Sequence, residues 1–486
     1  MNTPLRRLAT MVIGMFVLLL AGTTWVQFFQ AGSLNSDPRN VRTLYREYGN
    51  ARGPIVIGGQ AVASSAAVDD PFGYQRSYAA GELYSAVTGF YSIVNGRTMI
   101  ESAENDVLTG QADSLFLSRL QDLITGKQPQ GSSVELTINP AAQQAAVDAL
   151  GTQKGAVVAI DTTTGAILAL VSTPGYDPNL LATHDSSAAN AAYQQLLAVD
   201  GDPLVNKTIK ENYPPGSTFK LVVAAAALES GRYTADSVLS APDSLTLPQT
   251  NTQLGNFGGS SCSASGQMTL ADALRISCNT AFAQLGLDLG DDAIRDQAEK
   301  FGFDDTSLTI PMSVAASTFP DSTINAPNTA LSAIGQYSVR STPLQMAMVA
   351  AAIANDGTLM TPYLVQTVRT ADLDVVREAE PSVLSQPVSA TTAATLRDMM
   401  VGVVQSGSGT AAQIPGVQVA GKTGTAQTGV EGQAPHAWFT GFAPAEDPKV
   451  AVAVFVQNGG DAGSEATGGR VAAPIAKAVL EAVLNQ

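Results

Sequence analysis

From Leu8 to Ser36 the chain carries no charged residue, and its apolar heart, Leu8 to Phe29, follows directly on Arg6 and Arg7. About 20 apolar residues are needed to cross the hydrocarbon core of a bilayer, and flanking positive charge stays on the cytoplasmic side. The segment therefore reads as an anchor: residues 1–7 a cytoplasmic tail, 8–30 a single transmembrane helix, and all that follows outside the cell. A cleaved signal peptide is the alternative. It fits less well, because the apolar stretch exceeds the usual span of about 7–15 residues and no small-x-small cleavage site follows. Lipid attachment is not expected, since Leu20-Ala21-Gly22 is followed by Thr23 where a lipobox needs cysteine.

A chain of 486 residues is too long for one core when domains run to about 100–200 residues. Its net charge of −16 and lack of any basic run exclude a nucleic-acid partner. Cys262 and Cys278, the only cysteines, are free to pair outside the cytoplasm; a buried thiol at Cys278 with an unrelated exposed Cys262 is the alternative. Two cysteines and two distant histidines make no zinc site, and no metal or cofactor is expected.

Residues 31–150 are polar, broken and Gly-rich, with a short candidate strand at Gly53 to Ile57 and a helical stretch around Asp113 to Ile124. They suggest an irregular pedestal. Asn139-Pro140 opens a helix that stops at Gly151, following the usual asymmetry of proline at the start and glycine at the end. Beyond it, Ala156–Ile160 and Ala166–Val171 read as a hairpin. Helical patterns fill Ser217–Ser230, Leu270–Leu289, Asp292–Phe301 and Pro343–Asn355. Strand patterns return at Val417–Ala420, Ala437–Phe442 and Val450–Val456, before a helix over Val471–Leu484. Strands at both ends enclosing a helical middle predict one α+β domain over 151–486, its sheet assembled from distant segments.

Nucleophilic catalysis by a Ser-His-Asp triad is not supported: His184 sits in a polar loop and His436 opens a strand, so structural roles suit both better. A lysine can serve instead. Tyr213-Pro214-Pro215-Gly216-Ser217-Thr218-Phe219-Lys220 places a serine at a helix start, where backbone N–H groups and the dipole favour developing negative charge. Lys220 at i+3 shares its face and is a base if desolvation or a nearby cation keeps it neutral. Ser277-Cys278-Asn279 offers a hydroxyl and an amide two positions apart. The same Ser-x-Asn spacing at Ser33-Leu34-Asn35 is assigned no role. Gly421-Lys422-Thr423-Gly424-Thr425 supplies a cation, two hydroxyls and small residues that let a ligand backbone approach.

Each element alone is weak, but the ordered trio Ser-x-x-Lys, Ser-x-Asn and Lys-Thr-Gly resembles the signature of penicillin-binding proteins and serine β-lactamases. Ile334-Gly335-Gln336, Thr342-Pro343-Leu344-Gln345, Ala354-Asn355-Asp356-Gly357 and His436-Ala437-Trp438-Phe439-Thr440-Gly441 are similar to segments of the same family. Upstream, Arg52-Gly53-Pro54-Ile55, Arg76-Ser77-Tyr78 and Asn95 to Glu101 look like the pedestal of class B enzymes, although the charged half of the family's Arg-Gly segment is replaced by Val56-Ile57-Gly58-Gly59-Gln60. Tyr78 to Tyr84 resembles the penicillin-binding protein A group of actinobacteria.

The resemblance implies a serine penicillin-recognising transpeptidase domain, an antiparallel sheet flanked by helices with a helical subdomain, on the pedestal and its one transmembrane helix. It implies acylation of Ser217 by the D-Ala-D-Ala stem peptide of peptidoglycan, with loss of D-Ala and transfer to an acceptor amine, during growth or division. Lys220 would be the base and Ser277 the proton relay. Asn279, Lys422, Thr423, Gly424 and Thr425 would bind substrate, and β-lactam antibiotics would acylate the same serine. A membrane glycan polymerase of the shape, elongation, division and sporulation family is the expected partner. A catalytically silent β-lactam-binding scaffold or sensor and a serine β-lactamase remain as alternatives.

Overall fold

The computed structural model describes residues 2–30, 48–112 and 130–485. The expected helix around Asp113 to Ile124 and the Ser-x-Asn at Ser33 to Asn35 lie outside them. Among the described residues one helix, Thr3–Phe29, is long and apolar enough to cross a membrane; its 27 residues rise about 40 Å, more than a hydrocarbon core of about 30 Å.

The centre of the larger unit is an antiparallel five-stranded sheet in the order Ala420–Ala426, His436–Ala443, Val450–Val456, Gly155–Asp161, Ile167–Thr173. Helices cover both of its faces, so the central strands read as continuous apolar runs yet still divide their side chains by alternation. Ala156, Val158 and Ile160 join one core with Ala451, Ala453 and Phe455. Val157 and Ala159 join a second core with Val450, Val452 and Val454. The first face carries helix Pro343–Ala354, capped by Thr342 with proline in its first turn and buried at all twelve positions. The second carries Pro140–Leu150 and Ala473–Leu484, which pack on each other. Asn139 Oδ1 accepts from Ala141 N and Ala142 N, so the cap on Pro140–Leu150 is satisfied as the sequence suggests.

Three local expectations need correction. The apolar pattern over Leu270–Leu289 is two helices, Leu270–Arg275 and Asn279–Leu289, broken where Ser277 takes φ 62°. The late strand expected at Val417–Ala420 is Ala420–Ala426, so it begins later and contains the Lys-Thr-Gly segment. Ser217 does not cap a helix; it lies within a single 3-10 turn, Gly216–Phe219, that runs into helix Lys220–Glu229.

The pedestal is more regular than its composition suggests. A six-stranded sheet runs Val375–Glu378, Val365–Arg369, Ser133–Leu136, Ile55–Ile57, Gln60–Ala67, Tyr74–Tyr78. Its first two strands come from beyond residue 151, so chain from the second half completes the pedestal sheet. Gly58 and Gly59 turn the hairpin between Ile57 and Gln60 with φ of 56° and 75°. Both positive φ values suit a two-residue turn whose twist matches the strands, which accounts for glycines where charged residues are otherwise expected.

The three upstream segments singled out in the sequence converge on one carboxylate. Fully buried Glu101 accepts from Arg52 Nε through Oε2 (2.5 Å), and from Arg76 Nε (2.7 Å) and Tyr78 Oη (3.0 Å) through Oε1. Arg76 also donates to Gly53 O at 2.8 Å, tying the Arg-Gly segment to the edge strand Tyr74–Tyr78. Burial alone raises a carboxyl pKa, but the paired guanidinium groups hold Glu101 below its usual value. Breaking such a pair leaves a buried charge uncompensated, at about 3–5 kcal/mol. Glu101→Leu, which leaves two buried arginines without a carboxylate, is therefore expected to lower the urea midpoint of the detergent-solubilised chain by that order of stability. An unchanged midpoint would contradict the assignment.

Candidate active site

Three separate stretches of chain meet at the free edge of the five-stranded sheet. Among the described residues strand Ala420–Ala426 pairs only with His436–Ala443, in register from Ala420↔Phe442 to Ala426↔His436, so it forms an edge of the sheet. The Gly216–Phe219 turn packs against this strand. Contact is close because glycines remove the side chains that would prevent it. A Cβ on Gly424 would come within 3.0 Å of Pro215 O, Thr218 Cγ2 and Trp438 Cβ, and one on Gly216 within 2.9 Å of Thr425 O. Gly424 thus has a packing part, letting the strand lie against the serine turn. Gly216 N donates to Gly335 O at 3.0 Å, so the Ile334-Gly335-Gln336 segment holds the turn from its far side.

Side chains three residues apart eclipse in a 3-10 turn, and here the Lys220 N–H closes the turn on Ser217 O. Ser217 and Lys220 therefore share one face in tighter alignment than an α-helix would give. Ser217 is half-buried, while Lys220 is fully buried. Lys220 Nζ donates to Ser277 O and to Asn279 Oδ1, each at 2.8 Å, with Ser277 Oγ at 3.4 Å. The left-handed backbone at Ser277 turns its carbonyl and hydroxyl toward the lysine, which an unbroken helix would not do.

Lys422 reaches the same hydroxyl from the sheet. Its Nζ donates to Ser277 Oγ at 2.8 Å and to Thr423 O at 2.7 Å, and it too is fully buried. Neither lysine has an ion pair among the described residues. Burial, and then the charge of Lys422, push the Lys220 amine well below the usual lysine range. Burial alone lowers Lys422 to about 7. A neutral amine has two N–H donors and one lone pair. With its donors on Ser277 O and Asn279 Oδ1, Lys220 keeps the lone pair for a proton. A nearby anion would favour the charged form of Lys422.

Asn256, a residue in none of the three motifs, caps the helix that carries Asn279: its Oδ1 accepts from Asn279 N at 2.9 Å and Thr280 N at 3.2 Å. The disulfide Cys262–Cys278, Cα atoms 5.9 Å apart, joins the loop after Asn256 to the middle of the Ser-x-Asn motif. No local sequence pattern marks Asn256, because it is 23 residues from the motif it caps. The histidines stand elsewhere. His436 Nδ1 accepts from Asn458 N at 3.1 Å and burial lowers its pKa to about 4; His184 Nδ1 pairs with Asp70 at 2.6 Å.

A serine one turn from a buried lysine whose pKa lies well below the usual range, with a bridging hydroxyl and a second lysine on a sheet edge, is equipped for acyl transfer at an anionic substrate. Residues 155–481 match the penicillin binding protein transpeptidase domain, and residues 52–134 match the penicillin binding protein A dimerisation domain. The chain belongs to the penicillin-binding protein transpeptidase family. Over its full length it is 47% identical to the whole of the peptidoglycan D,D-transpeptidase PbpA of Mycolicibacterium smegmatis. It is 46% identical, again over its full length, to PbpA of Mycobacterium tuberculosis, of which 99% is covered. The ceftriaxone acyl-enzyme complex of the M. tuberculosis penicillin-binding protein A superposes with a TM-score of 0.87 at 45% identity, covering 91% of this chain and 100% of that one.

Within this family member the depressed pKa of Lys422 makes stability depend on pH. For Lys422 the folded value is about 7 against 10.5 for a free lysine. Between these values the unfolded chain binds a proton that the folded site does not, so stability rises with pH; below about 7 the penalty is fully present. Lys422→Met is therefore expected to be more stable than the native chain at pH 6, with the gap narrowing by pH 9. Urea unfolding at several pH values checks this, and a gap independent of pH would refute it.

Proposed function

We infer that this chain is a peptidoglycan D,D-transpeptidase of class B, cross-linking stem peptides through an acyl-enzyme on Ser217. The observation that carries the reading is the fully buried Lys220, its N–H groups on Ser277 O and Asn279 Oδ1 and its pKa depressed, one turn from a half-buried serine.

In the forward half-reaction Ser217 Oγ attacks the carbonyl of the penultimate D-Ala while Lys220 Nζ takes the hydroxyl proton. The Ser217 and Thr425 N–H groups stabilise the oxyanion. Collapse of the tetrahedral intermediate breaks the C–N bond to the terminal D-Ala. Ser277, hydrogen-bonded to Lys422 and 3.4 Å from Lys220 Nζ, passes a proton to the departing amine. Asn279 holds the substrate amide, and Lys422 with the Thr423 and Thr425 hydroxyls holds the terminal carboxylate. An acceptor amine then attacks the ester, gives up a proton to the same groups, and frees Ser217. β-Lactams enter by the first step and stay as stable esters.

The apolar helix Thr3–Phe29 anchors the chain in the cytoplasmic membrane, with Arg6 and Arg7 inside and the remainder outside. Cross-linking uses glycan strands that another enzyme must polymerise, and a membrane glycan polymerase of the shape, elongation, division and sporulation family is the natural partner. Residues 31–150 serve as the pedestal and 151–486 as the transpeptidase domain, with chain from the latter completing the pedestal sheet.

Intact mass after exposure to labelled penicillin tests the reading. A long-lived adduct is expected on the native chain and none on Ser217→Ala. Rapid release would favour a β-lactamase, and absence of any adduct a silent scaffold.

A further inference from the structure

The turn that follows helix Ala390–Ser406 contains Gly407-Ser408-Gly409, and none of the mechanism above uses it. Ser408 Oγ lies 2.6 Å from Thr423 Oγ1, the hydroxyl of the Lys-Thr-Gly strand. Its backbone N–H donates to Arg275 O at 3.1 Å, two residues before Ser277, and Arg275 Nη1 returns a bond to Ser406 O at 3.2 Å. One residue thus touches both the strand that carries the carboxylate-binding hydroxyls and the helix end that leads into the Ser-x-Asn motif. Glycines permit this approach as well: a Cβ on Gly407 would fall 2.2 Å from Arg275 O, and one on Gly469 2.2 Å from Ser408 O.

A hydroxyl has one hydrogen to donate and two lone pairs. Thr423 has no other side-chain hydrogen bond among the described residues, so its rotor is set by Ser408. Were Thr423 to donate to Ser408, it would present only lone pairs to an incoming carboxylate and repel it. With Ser408 as donor, the Thr423 hydrogen stays free for the substrate, and the chain of two hydroxyls polarises it further. Lys422 fixes the same residue from the opposite side through Thr423 O.

We propose that Ser408 is a positioning residue for carboxylate recognition: it donates to Thr423 Oγ1 and so orients the Thr423 hydroxyl toward the terminal carboxylate of the substrate or β-lactam. The proposal rests on the transpeptidase reading given above and adds to it a determinant outside the three motifs.

Acylation of the full-length solubilised chain by penicillin G and by its methyl ester, followed by intact mass over a concentration series, separates binding from chemistry. Ser408→Ala is expected to weaken half-saturation by penicillin G by roughly two- to tenfold, the range of one neutral hydrogen bond, with the limiting acylation rate unchanged. The ester has no carboxylate and should acylate both chains alike. Ser408→Thr, which keeps the hydroxyl, should restore the native value. Equal losses with acid and ester, or no loss with either, overturn the positioning role. Should Ser408→Ala not fold, Ser408→Cys, of similar size with a weak donor, allows the same comparison of acid and ester: a loss confined to the acid supports the role, and any other pattern overturns it. Failure of the native chain to be acylated by penicillin G would instead overturn the transpeptidase reading itself.

Discussion

Two buried lysines share one serine hydroxyl, and much of the structure exists to make that arrangement tolerable. An ammonium group moved out of water without a counter-charge is so unfavourable that the amine gives up its proton instead. Lys220 and Lys422 lie on either side of Ser277, and no carboxylate among the described residues pairs with either. Their proximity depresses the Lys220 amine further, as the base role proposed for it requires, and the same shortage of negative charge suits an anionic substrate. In the proposed mechanism base strength and substrate preference have one electrostatic origin.

Holding that arrangement requires three segments to approach more closely than side chains normally allow. The 3-10 turn at Ser217, the break at Ser277 and the edge strand at Lys422 are far apart in the chain: 57 residues separate Lys220 from Ser277, and 145 separate Ser277 from Lys422. Gly216 and Gly424 let the turn and the strand touch, while Gly421 leaves room for the Phe439 ring, 2.4 Å from where its Cβ would stand. A rigid sheet core then carries the load. Strands whose alternate residues enter separate apolar layers cannot slip by one position without exchanging the layers, so register at the edge is fixed by packing far behind it.

The proposed chemistry is legible in the sequence because it is carried by distinctive residue types. Ser217, Lys220, Ser277, Asn279, Lys422 and Thr423 stand as an ordered set, and the hairpin, the capped helix Pro140–Leu150 and the late strands follow from period and capping. Local backbone at the motifs is not legible. The apolar spacing on both sides of Ser277 is helical, and only the lysines that claim its carbonyl and hydroxyl give its left-handed conformation a purpose. Gly421 to Thr425 has poor strand propensity; pairing with His436–Ala443 overrides it. Asn256 and Ser408 act on residues 23 and 15 positions away through ordinary polar contacts, which leave no mark on a single sequence.

The regularity of the pedestal is hidden for a different reason, which bears on how the two halves work together. A sheet drawn from one continuous stretch announces itself by alternation, but here two of six strands arrive from Val365–Arg369 and Val375–Glu378, after the catalytic helices have been laid down. Those strands leave helix Pro343–Ala354, which lines the catalytic sheet, and end beside Arg377, whose guanidinium meets Glu104 at 2.7 Å. Tyr363, just before the first of them, bridges to Ala166 at the hairpin of the catalytic sheet. Main-chain hydrogen bonds therefore run from the catalytic sheet to the pedestal sheet through one short segment. A flexible tether would let the two units turn independently; a segment hydrogen-bonded to both restrains them.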